Sequence, residues 1–487
     1  MDDELCNQID WQNIAQKYQH KYSYSRLKES SSQYQYQPVG VPIFPQDIKL
    51  RNYQDQAVLS WLENRGRGTL KMATGSGKTL IALAIATELY QQIGLQVLLI
   101  VCPYRHLVNQ WERECIKFNL QPIIAMTRLE NWQSKLSTQL YNLRTSSRNF
   151  LTIITTNSTL ITQGFQSQLK YFPAKTLIVG DEAHNLGSAR LEASLPRNIG
   201  LRLALSATPE RHFDDEGTEA LLNYFGEIIP PEFTLADAIQ QGALVPYLYY
   251  PVFVRLTASE SLTYAKLTKQ IGWSLHKNSN WEQNDNLTAL LTKRSRLLGT
   301  AANKLVILKE LMTTRLNTSH TLFYCGDGYL ENSTSIYRRQ IEAVTHILGK
   351  ELGYRVNTYS TDTPLAMREK LRQQFESGEL QGLVAIRCLD EGIDIPAIKT
   401  AIILASSSNP RQFIQRRGRI LRPYPGKEQA TLFDTIVIPP NLDRETWEVE
   451  KNLLRKELTR LITFAKLATN AREAIEKLIQ LQEQYQL

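Results

Sequence analysis

Met72-Ala73-Thr74-Gly75-Ser76-Gly77-Lys78-Thr79 joins an apolar stretch, Gly68 to Met72, to a helix-like stretch, Leu80 to Tyr90. Gly75 and Gly77 let backbone N–H groups curl around a phosphate without Cβ clashes. Lys78 can reach the β- and γ-phosphates of a nucleotide, and Thr79 can place its hydroxyl on Mg2+. The helix that opens here adds the positive end of its dipole. Thr74, Gly75, Ser76, Gly77, Lys78 and Thr79 are therefore the candidate ATP cradle, with ATP and Mg2+ as the expected cofactors. The usual pattern has Gly where this chain has Met72. A glycine-rich turn that binds nothing is the competing reading, and the residues downstream weigh against it.

The first of those is Thr176-Leu177-Ile178-Val179-Gly180-Asp181-Glu182-Ala183-His184. An apolar strand delivers two adjacent carboxylates at its carboxyl end, where open α/β sheets bind ligands. Asp181 can hold Mg2+, and Glu182 can orient and deprotonate an attacking water. A helix N-cap with an acidic first turn uses the same residue types. Here, however, the pair follows the phosphate loop by about one hundred residues, as the partner carboxylates of such loops do.

Gln415-Arg416-Arg417-Gly418-Arg419-Ile420-Leu421-Arg422 supplies the third group. Phosphoryl transfer needs a cation where negative charge develops, and Arg is a permanent, planar one. Arg419 and Arg422, spaced on one helical face, are the candidates. Arg416 and Arg417 read better as a basic nucleic-acid patch.

The remaining chain alternates strands and helices. Val97 to Pro103, Phe150 to Thr155 and Leu203 to Ser206 read as buried strands. A second alternating run has strands at Thr321 to Cys325, Leu383 to Ile386, Ala401 to Leu404 and Thr431 to Ile438, with no second phosphate loop. Between them, Phe233 to Gln241, Tyr264 to Trp273 and Leu290 to Leu308 read as helices. Lys293, Arg294 and Arg296 of the last read as a solvated face. After residue 439 an apolar stripe through Leu454, Leu458, Leu461, Ala465 and Ala468 predicts a helix packed on its own chain. The expected fold class is α/β. The expected division is a lead-in over 1–47, a nucleotide-binding parallel-sheet domain over 48–212, a linker or inserted subdomain over 213–305, a second doubly wound domain over 306–440, and a helical extension over 441–487. Tyrosines of the lead-in, among them Tyr18, Tyr22 and Tyr24, suit base stacking, but a linker lying on the first domain is the preferred reading.

At 487 residues, with 42% hydrophobic and 21% charged residues, the chain can bury sizeable cores. Lys and Arg number 56 against 48 Asp and Glu, a net +8 that permits polyanion binding without establishing it. Five scattered cysteines form no CxxC pair, which argues against a zinc site or a disulfide framework. The acidic start and short apolar runs lead to the expectation of a cytoplasmic protein with no membrane partner.

Together, Ala73–Thr79, Asp181–His184 and Gln415–Arg422 resemble the motifs of superfamily 2 helicases, over about residues 48–438. That resemblance implies two tandem RecA-like doubly wound domains with an inter-lobe helical insertion and a C-terminal helical extension. It makes Leu50-Arg51-Asn52-Tyr53-Gln54 a Q motif, with Gln54 as adenine contact. Asp181 to His184 becomes a DEAH box, and His184, Ser206, Thr208 and Gln415 become couplers between the ATP and nucleic-acid sites. Leu389 to Pro396 resembles motif V, with Gly392 and Asp394 at the nucleotide. Arg105, Gln110, Thr156 and Asn157 become candidate nucleic-acid contacts, Arg105 alone reading equally well as a solvated residue. Leu-Arg-x-Tyr-Gln, the DEAH box and Glu391-Gly392-Ile393-Asp394-Ile395-Pro396 look closest to the XPB-like and restriction-enzyme motor branch. Ala405 to Arg422 also resembles bacterial helicase-like proteins of DNA phosphorothioation-dependent restriction. The implied activity is an ATP-dependent DNA helicase or translocase in repair or restriction. Its implied partners are a DNA strand tracked across both lobes and a nuclease or restriction complex. The alternatives are an ATP-switched DNA-binding subunit that does not unwind, and an RNA helicase.

Overall fold

The computed structural model describes residues 4–25, 39–126, 128–211, 214–277, 285–328, 339–360, 363–386, 395–405 and 417–485. It resolves into two compact units, Met1–Leu235 and Ala236–Leu487.

The first unit is built on a parallel sheet of seven strands: β1 (Arg67–Met72), β2 (Val97–Cys102), β3 (Ile123–Ala125), β4 (Leu151–Thr156), β5 (Thr176–Asp181), β6 (Leu201–Ser206) and β7 (Ile228–Phe233). Their spatial order is β3-β4-β2-β5-β6-β1-β7. In β2, β4, β5 and β6 every residue is buried. That is why they read as unbroken apolar runs: helices cover both faces of a parallel sheet. The edge strands β3 and β7 escaped the sequence reading. β3 has three residues, and β7 carries Pro230 and Pro231, which cannot donate to a ladder and suit an edge.

The second unit holds a parallel sheet of six strands. They are β8 (Tyr247–Arg255), β9 (Thr321–Cys325), β10 (Val356–Tyr359), β11 (Gly382–Ile386), β12 (Thr400–Ile403) and β13 (Ala430–Ile438), in the order β10-β11-β9-β12-β13-β8. Both units are thus α/β parallel-sheet domains. Residues 213–305, expected as a separate linker or subdomain, instead divide between the units. β7 pairs with β1, and β8 pairs with β13 along its whole length, from Ala430↔Tyr247 to Ile438↔Arg255.

The expected single helix over Leu290 to Leu308 is two, Asp285–Gly299 and Asn303–Thr313. The break has a capping cause. Glu260 Oε1 accepts the Ala302 N–H at 2.8 Å and its Oε2 accepts the Thr257 N–H at 2.8 Å. Thr257 Oγ1 in turn accepts the Glu260 N–H. One buried carboxylate therefore starts two helices, and Thr257-x-x-Glu260 is a capping box that opens helix Ala258–Lys277 before Tyr264. The C-terminal stripe is buried as expected. On Arg444–Ala465, Leu454, Leu458 and Leu461 are covered, and Phe464 stacks on Tyr247 of β8.

Arg294, read as part of a solvated face, is buried instead. Its Nη2 donates to both oxygens of Glu450 at 2.9 Å and to the Tyr264 hydroxyl, tying three helices together. Removing one partner of a buried pair leaves an uncompensated charge. Glu450→Ala should cost about 3–5 kcal/mol of stability, read as a lower urea midpoint. Arg472→Ala, at a pair whose arginine is 94% exposed, should leave the midpoint where it was.

Candidate nucleotide site

β1 ends at Met72, and the chain turns through Gly75 (φ 87°) and Gly77 (φ 80°) before helix Lys78–Ile93 begins. Both angles lie in the left-handed region that glycine reaches without a Cβ penalty. No side chain caps this helix, so its first-turn N–H groups face the loop mouth. Inside the loop, Thr74 Oγ1 and Ser76 Oγ are buried with no hydrogen-bond partner among the described residues. Buried hydroxyls without partners are uncommon, and here they lie where anionic oxygens would satisfy them. Lys78 Nζ rests on Met72 O at 2.9 Å and Ala73 O at 3.3 Å. Thr79 sits half-buried in the first turn. This donor set fits a nucleotide triphosphate with Mg2+: N–H groups, two hydroxyls and an ammonium for phosphates, and Thr79 as an oxygen ligand.

Helix Asn52–Glu63 braces the loop. Gln54 Nε2 donates to Ser76 O at 2.8 Å, while its Oε1 accepts the Arg51 N–H at 2.8 Å. The expected adenine contact is thus also a strut between a helix start and the phosphate loop. Tyr53, not singled out from the sequence, donates its hydroxyl to the same Ser76 O at 2.9 Å and stacks on Phe233 of β7. The lead-in, whose sequence reads as a short helix around Ile9 to Tyr18 before the linker-like stretch, carries a longer helix, Trp11–Ser25. Trp11 packs edge-on against Trp61, and Tyr18 OH donates to Asp55.

Asp181 and Glu182 close β5, on the same sheet edge. Asp181 Oδ2 accepts the Trp111 indole N–H at 2.8 Å, and Oδ1 accepts the Glu182 N–H at 2.9 Å. Glu182 holds a left-handed backbone (φ 44°, ψ 50°), a conformation costing a non-glycine residue roughly 1–2 kcal/mol. His184, buried, shares a 3.1 Å hydrogen bond between Nδ1 and Ser206 Oγ. Asn185 faces its Nε2 at 3.0 Å and can only donate there, which places the proton on Nδ1. Ser206 Oγ also accepts the Thr208 N–H at 3.1 Å. The structure therefore joins His184, Ser206 and Thr208 directly. Cys102 and Cys115 lie nearby, and burial pushes the Cys115 thiol up to about 12 and the Cys102 thiol the same way. Neither is a nucleophile at neutral pH.

The candidate nucleic-acid residues follow the adjoining strands β2 and β4, where Cys102 registers with Thr156. Arg105 is exposed and Gln110 half-buried on helix Arg105–Lys117. Thr156 Oγ1 is committed as an N-cap to the Thr159 N–H, while Asn157 Oδ1 is buried without a partner among the described residues.

In the second unit, residues 417–420 are helical and Arg422 lies just past the helix end, its N–H donating to the Arg419 carbonyl. Arg417 is not a nucleic-acid patch. It is buried, paired with Asp434 of β13 and packed over the Phe464 ring. Lys427, also overlooked, donates to Ile420 O (2.6 Å), Arg422 O (2.8 Å) and Pro396 O (3.0 Å), fixing the end of this helix. Gln415, Gly392 and Asp394 lie outside the described residues.

With this geometry in view, likeness to known proteins can be placed. The family described as "Type III restriction enzyme, res subunit" matches residues 47–211, and "Helicase conserved C-terminal domain" matches 320–424. Both matches are to helicase-type families, and the chain is similar to superfamily 2 helicases of the XPB-like and restriction-motor branch. It is 28% identical over 415 residues to the DNA 3'-5' translocase XPB2 of Sulfurisphaera tokodaii, covering 82% of this chain and 84% of that one. It is 27% identical to the DNA 3'-5' helicase XPB of Mycobacterium tuberculosis, covering 82% of this chain and 62% of that one. A solved structure of the ATP-dependent Type ISP restriction-modification enzyme LlaBIII bound to DNA shares the fold, with a TM-score of 0.56 at 18% identity. It covers 90% of this chain, which spans 33% of that enzyme. Two α/β parallel-sheet units in one chain agree with the fold class that the resemblance implies.

A Cβ at Gly77 would stand 2.3 Å from Gln54 Nε2, in a backbone with φ 80°. Gly77→Ala should lower stability by about 1–2 kcal/mol and abolish the rise in melting temperature that ATP with Mg2+ gives the parent chain. A full ATP-induced shift in the variant would remove Gly77 from the cradle.

Proposed function

We propose that the chain is an ATP-dependent DNA helicase or translocase that couples ATP hydrolysis to movement on, or unwinding of, DNA in repair or restriction. The observation that carries this reading is the left-handed glycine loop with its two buried, unpartnered hydroxyls, on the same sheet edge as Asp181 and Glu182. DNA is favoured over RNA because the relatives at 27–28% identity are named for DNA.

Mg2+ would neutralise phosphate charge, with Thr79 and Asp181 as its protein-side oxygens. Lys78 exchanges two backbone carbonyls for β- and γ-phosphate oxygens. Thr74, Gly75, Ser76 and Gly77 line the phosphate path, and Gln54, Gly392 and Asp394 take the base and sugar side. Glu182 orients the attacking water and accepts its proton. Arg419 and Arg422 supply fixed positive charge as the departing phosphoryl group spreads its own. His184, Ser206, Thr208 and Gln415 relay the nucleotide state. Arg105, Gln110, Thr156 and Asn157 engage the DNA strand. A nuclease or a restriction complex is the proposed protein partner.

Hydrolysis by the purified chain should rise with single-stranded or duplex DNA, stay flat with RNA, and vanish in Lys78→Ala. Glu182→Gln should bind ATP normally and lose hydrolysis by about 10²- to 10⁴-fold; full turnover would sink the base assignment. Arg419→Ala should lose about 10³-fold or more in turnover with little change in nucleotide affinity. Hydrolysis indifferent to every nucleic acid would favour an ATP-switched subunit awaiting its partner.

A further inference from the structure

Helix Arg105–Lys117 starts at the carboxyl end of β2, and its exposed first residue, Arg105, is one of the candidate DNA contacts. Leu107, Val108, Trp111 and Cys115 form its buried face. Trp111 is 1% exposed. A tryptophan buried that deeply usually finds an internal acceptor for its indole N–H, although the equally buried Trp132 has none among the described residues. Apolar packing alone would be met by a backbone carbonyl. Instead the acceptor is the carboxylate of Asp181, 70 residues away and 2.8 Å distant. Hydrogen bonds to an ionised group are roughly twice as strong as neutral ones and hold direction tightly. The second oxygen of the same carboxylate takes the N–H of Glu182, the candidate base.

We propose that Trp111 is a positioning residue that aims the Asp181 carboxylate and links it to the DNA-facing helix, so that DNA and metal affinities depend on each other through this one bond. The inference rests on the proposed metal-side role of Asp181. Trp111 lies six residues beyond Arg105, about 9 Å along one rigid helix. A shift imposed at the head of that helix therefore reaches the indole without passing through a loop. Stretching or bending the N–H···O contact weakens it steeply. By linkage, whatever factor DNA applies to metal affinity, the metal must apply to DNA affinity. The indole supplies no proton and no charge. It fixes where the carboxylate points, as groups hydrogen-bonded to metal ligands commonly do.

The test is a binding cycle that needs no turnover. Mn2+ serves as the metal probe, followed by electron paramagnetic resonance, with a non-hydrolysable ATP analogue and with or without a single-stranded DNA oligonucleotide. Trp111→Phe keeps the ring and removes the donor. Val108→Ala trims the same buried face and leaves the bond. Trp111→Phe should weaken Mn2+ by about tenfold or more and bring the DNA effect on Mn2+ affinity close to one. Affinity for the analogue without metal should hold. Val108→Ala should keep both the Mn2+ affinity and the DNA effect. Unchanged Mn2+ affinity and an unchanged DNA effect in Trp111→Phe would overturn the inference, as would equal losses in Val108→Ala. Should Trp111→Phe not fold, the parent chain decides: its Trp111 indole N–H resonance should move on addition of DNA and of Mg2+ with the analogue, and a static resonance rejects the link. A parent chain that binds no nucleotide fails the ATPase reading itself, a result distinct from any of these.

Discussion

Parallel strand direction is the constraint on which the first unit's chemistry depends. A parallel sheet brings all its strand carboxyl ends to one edge, and there it binds ligands. Across the edge of this sheet stand Thr156 on β4, Cys102 on β2, Asp181 on β5, Ser206 on β6 and Met72 on β1. These residues are scattered in chain order, and the sheet order alone makes them neighbours. The same direction dictates full burial of the central strands, since crossovers must cover both faces. Some polar groups on these buried strands are satisfied internally, Thr155 Oγ1 donating to Ala125 O and Thr69 Oγ1 to Gly226 O, whereas Thr152 Oγ1 on β4 has no partner among the described residues. Thr74 and Ser76, whose hydroxyls also lack partners among the described residues, differ from Thr152 in lying side by side in the glycine loop at the end of β1, where a phosphate's oxygens would meet them.

The second unit relies on buried charge. Arg294 with Glu450, Arg417 with Asp434, and Lys427 among three carbonyls each hold elements distant in sequence. Such groups stabilise little on net, because desolvation offsets the attraction. Their directionality has a different effect. An apolar contact tolerates sliding, whereas a guanidinium on a carboxylate does not. Arg417 and Lys427 bracket the segment that presents Arg419 and Arg422, so those arginines leave a backbone anchored at both ends. Tyr249 adds its hydroxyl to Asp434 at 3.0 Å, extending the anchorage to β8. Burial against that carboxylate also holds the phenol well above its ordinary range, keeping it a donor.

Central strands and the glycine loop were legible in the sequence for a shared reason: each depends on residues adjacent along the chain. Six buried positions in a row read as Val97-Leu98-Leu99-Ile100-Val101-Cys102 whatever surrounds them. Two glycines before Lys78 read as a cradle because the loop is made of consecutive backbone groups. The edge strands β3, β7 and β10 are short or polar and bury only part of their length, so no run announces them. The helix break after Gly299 depended on Glu260, whose capping box with Thr257 went unread and whose second acceptance, from Ala302, no local pattern announces. Arg294, Arg417 and Trp111 were misplaced or passed over because their partners lie 156, 17 and 70 residues away. Composition treats a lysine or arginine as solvated by default, and only the fold reveals a carboxylate waiting inside.

The left-handed backbone of Glu182 draws these threads together. A non-glycine residue stays in that region only when its surroundings over-determine it. Here they do. Asp181 holds its N–H, Asn185 Nδ2 donates to its carbonyl at 3.0 Å, and the following His184 is pinned through Ser206. Arg211 donates to the His184 carbonyl and to Asp214 at 2.5 Å, carrying the restraint past the strand that ends in Ser206. The strain is thus balanced by contacts reaching to the end of β6 and into the segment beyond it. In the proposed role of base, a carboxylate held this way would need no rearrangement when its chemistry begins, and reorganisation avoided at that moment lowers the barrier. The energy that fixes Glu182 is spent in folding the sheet edge, which is why the residues that hold it are spread over the loop, the helix behind it and the segment beyond β6.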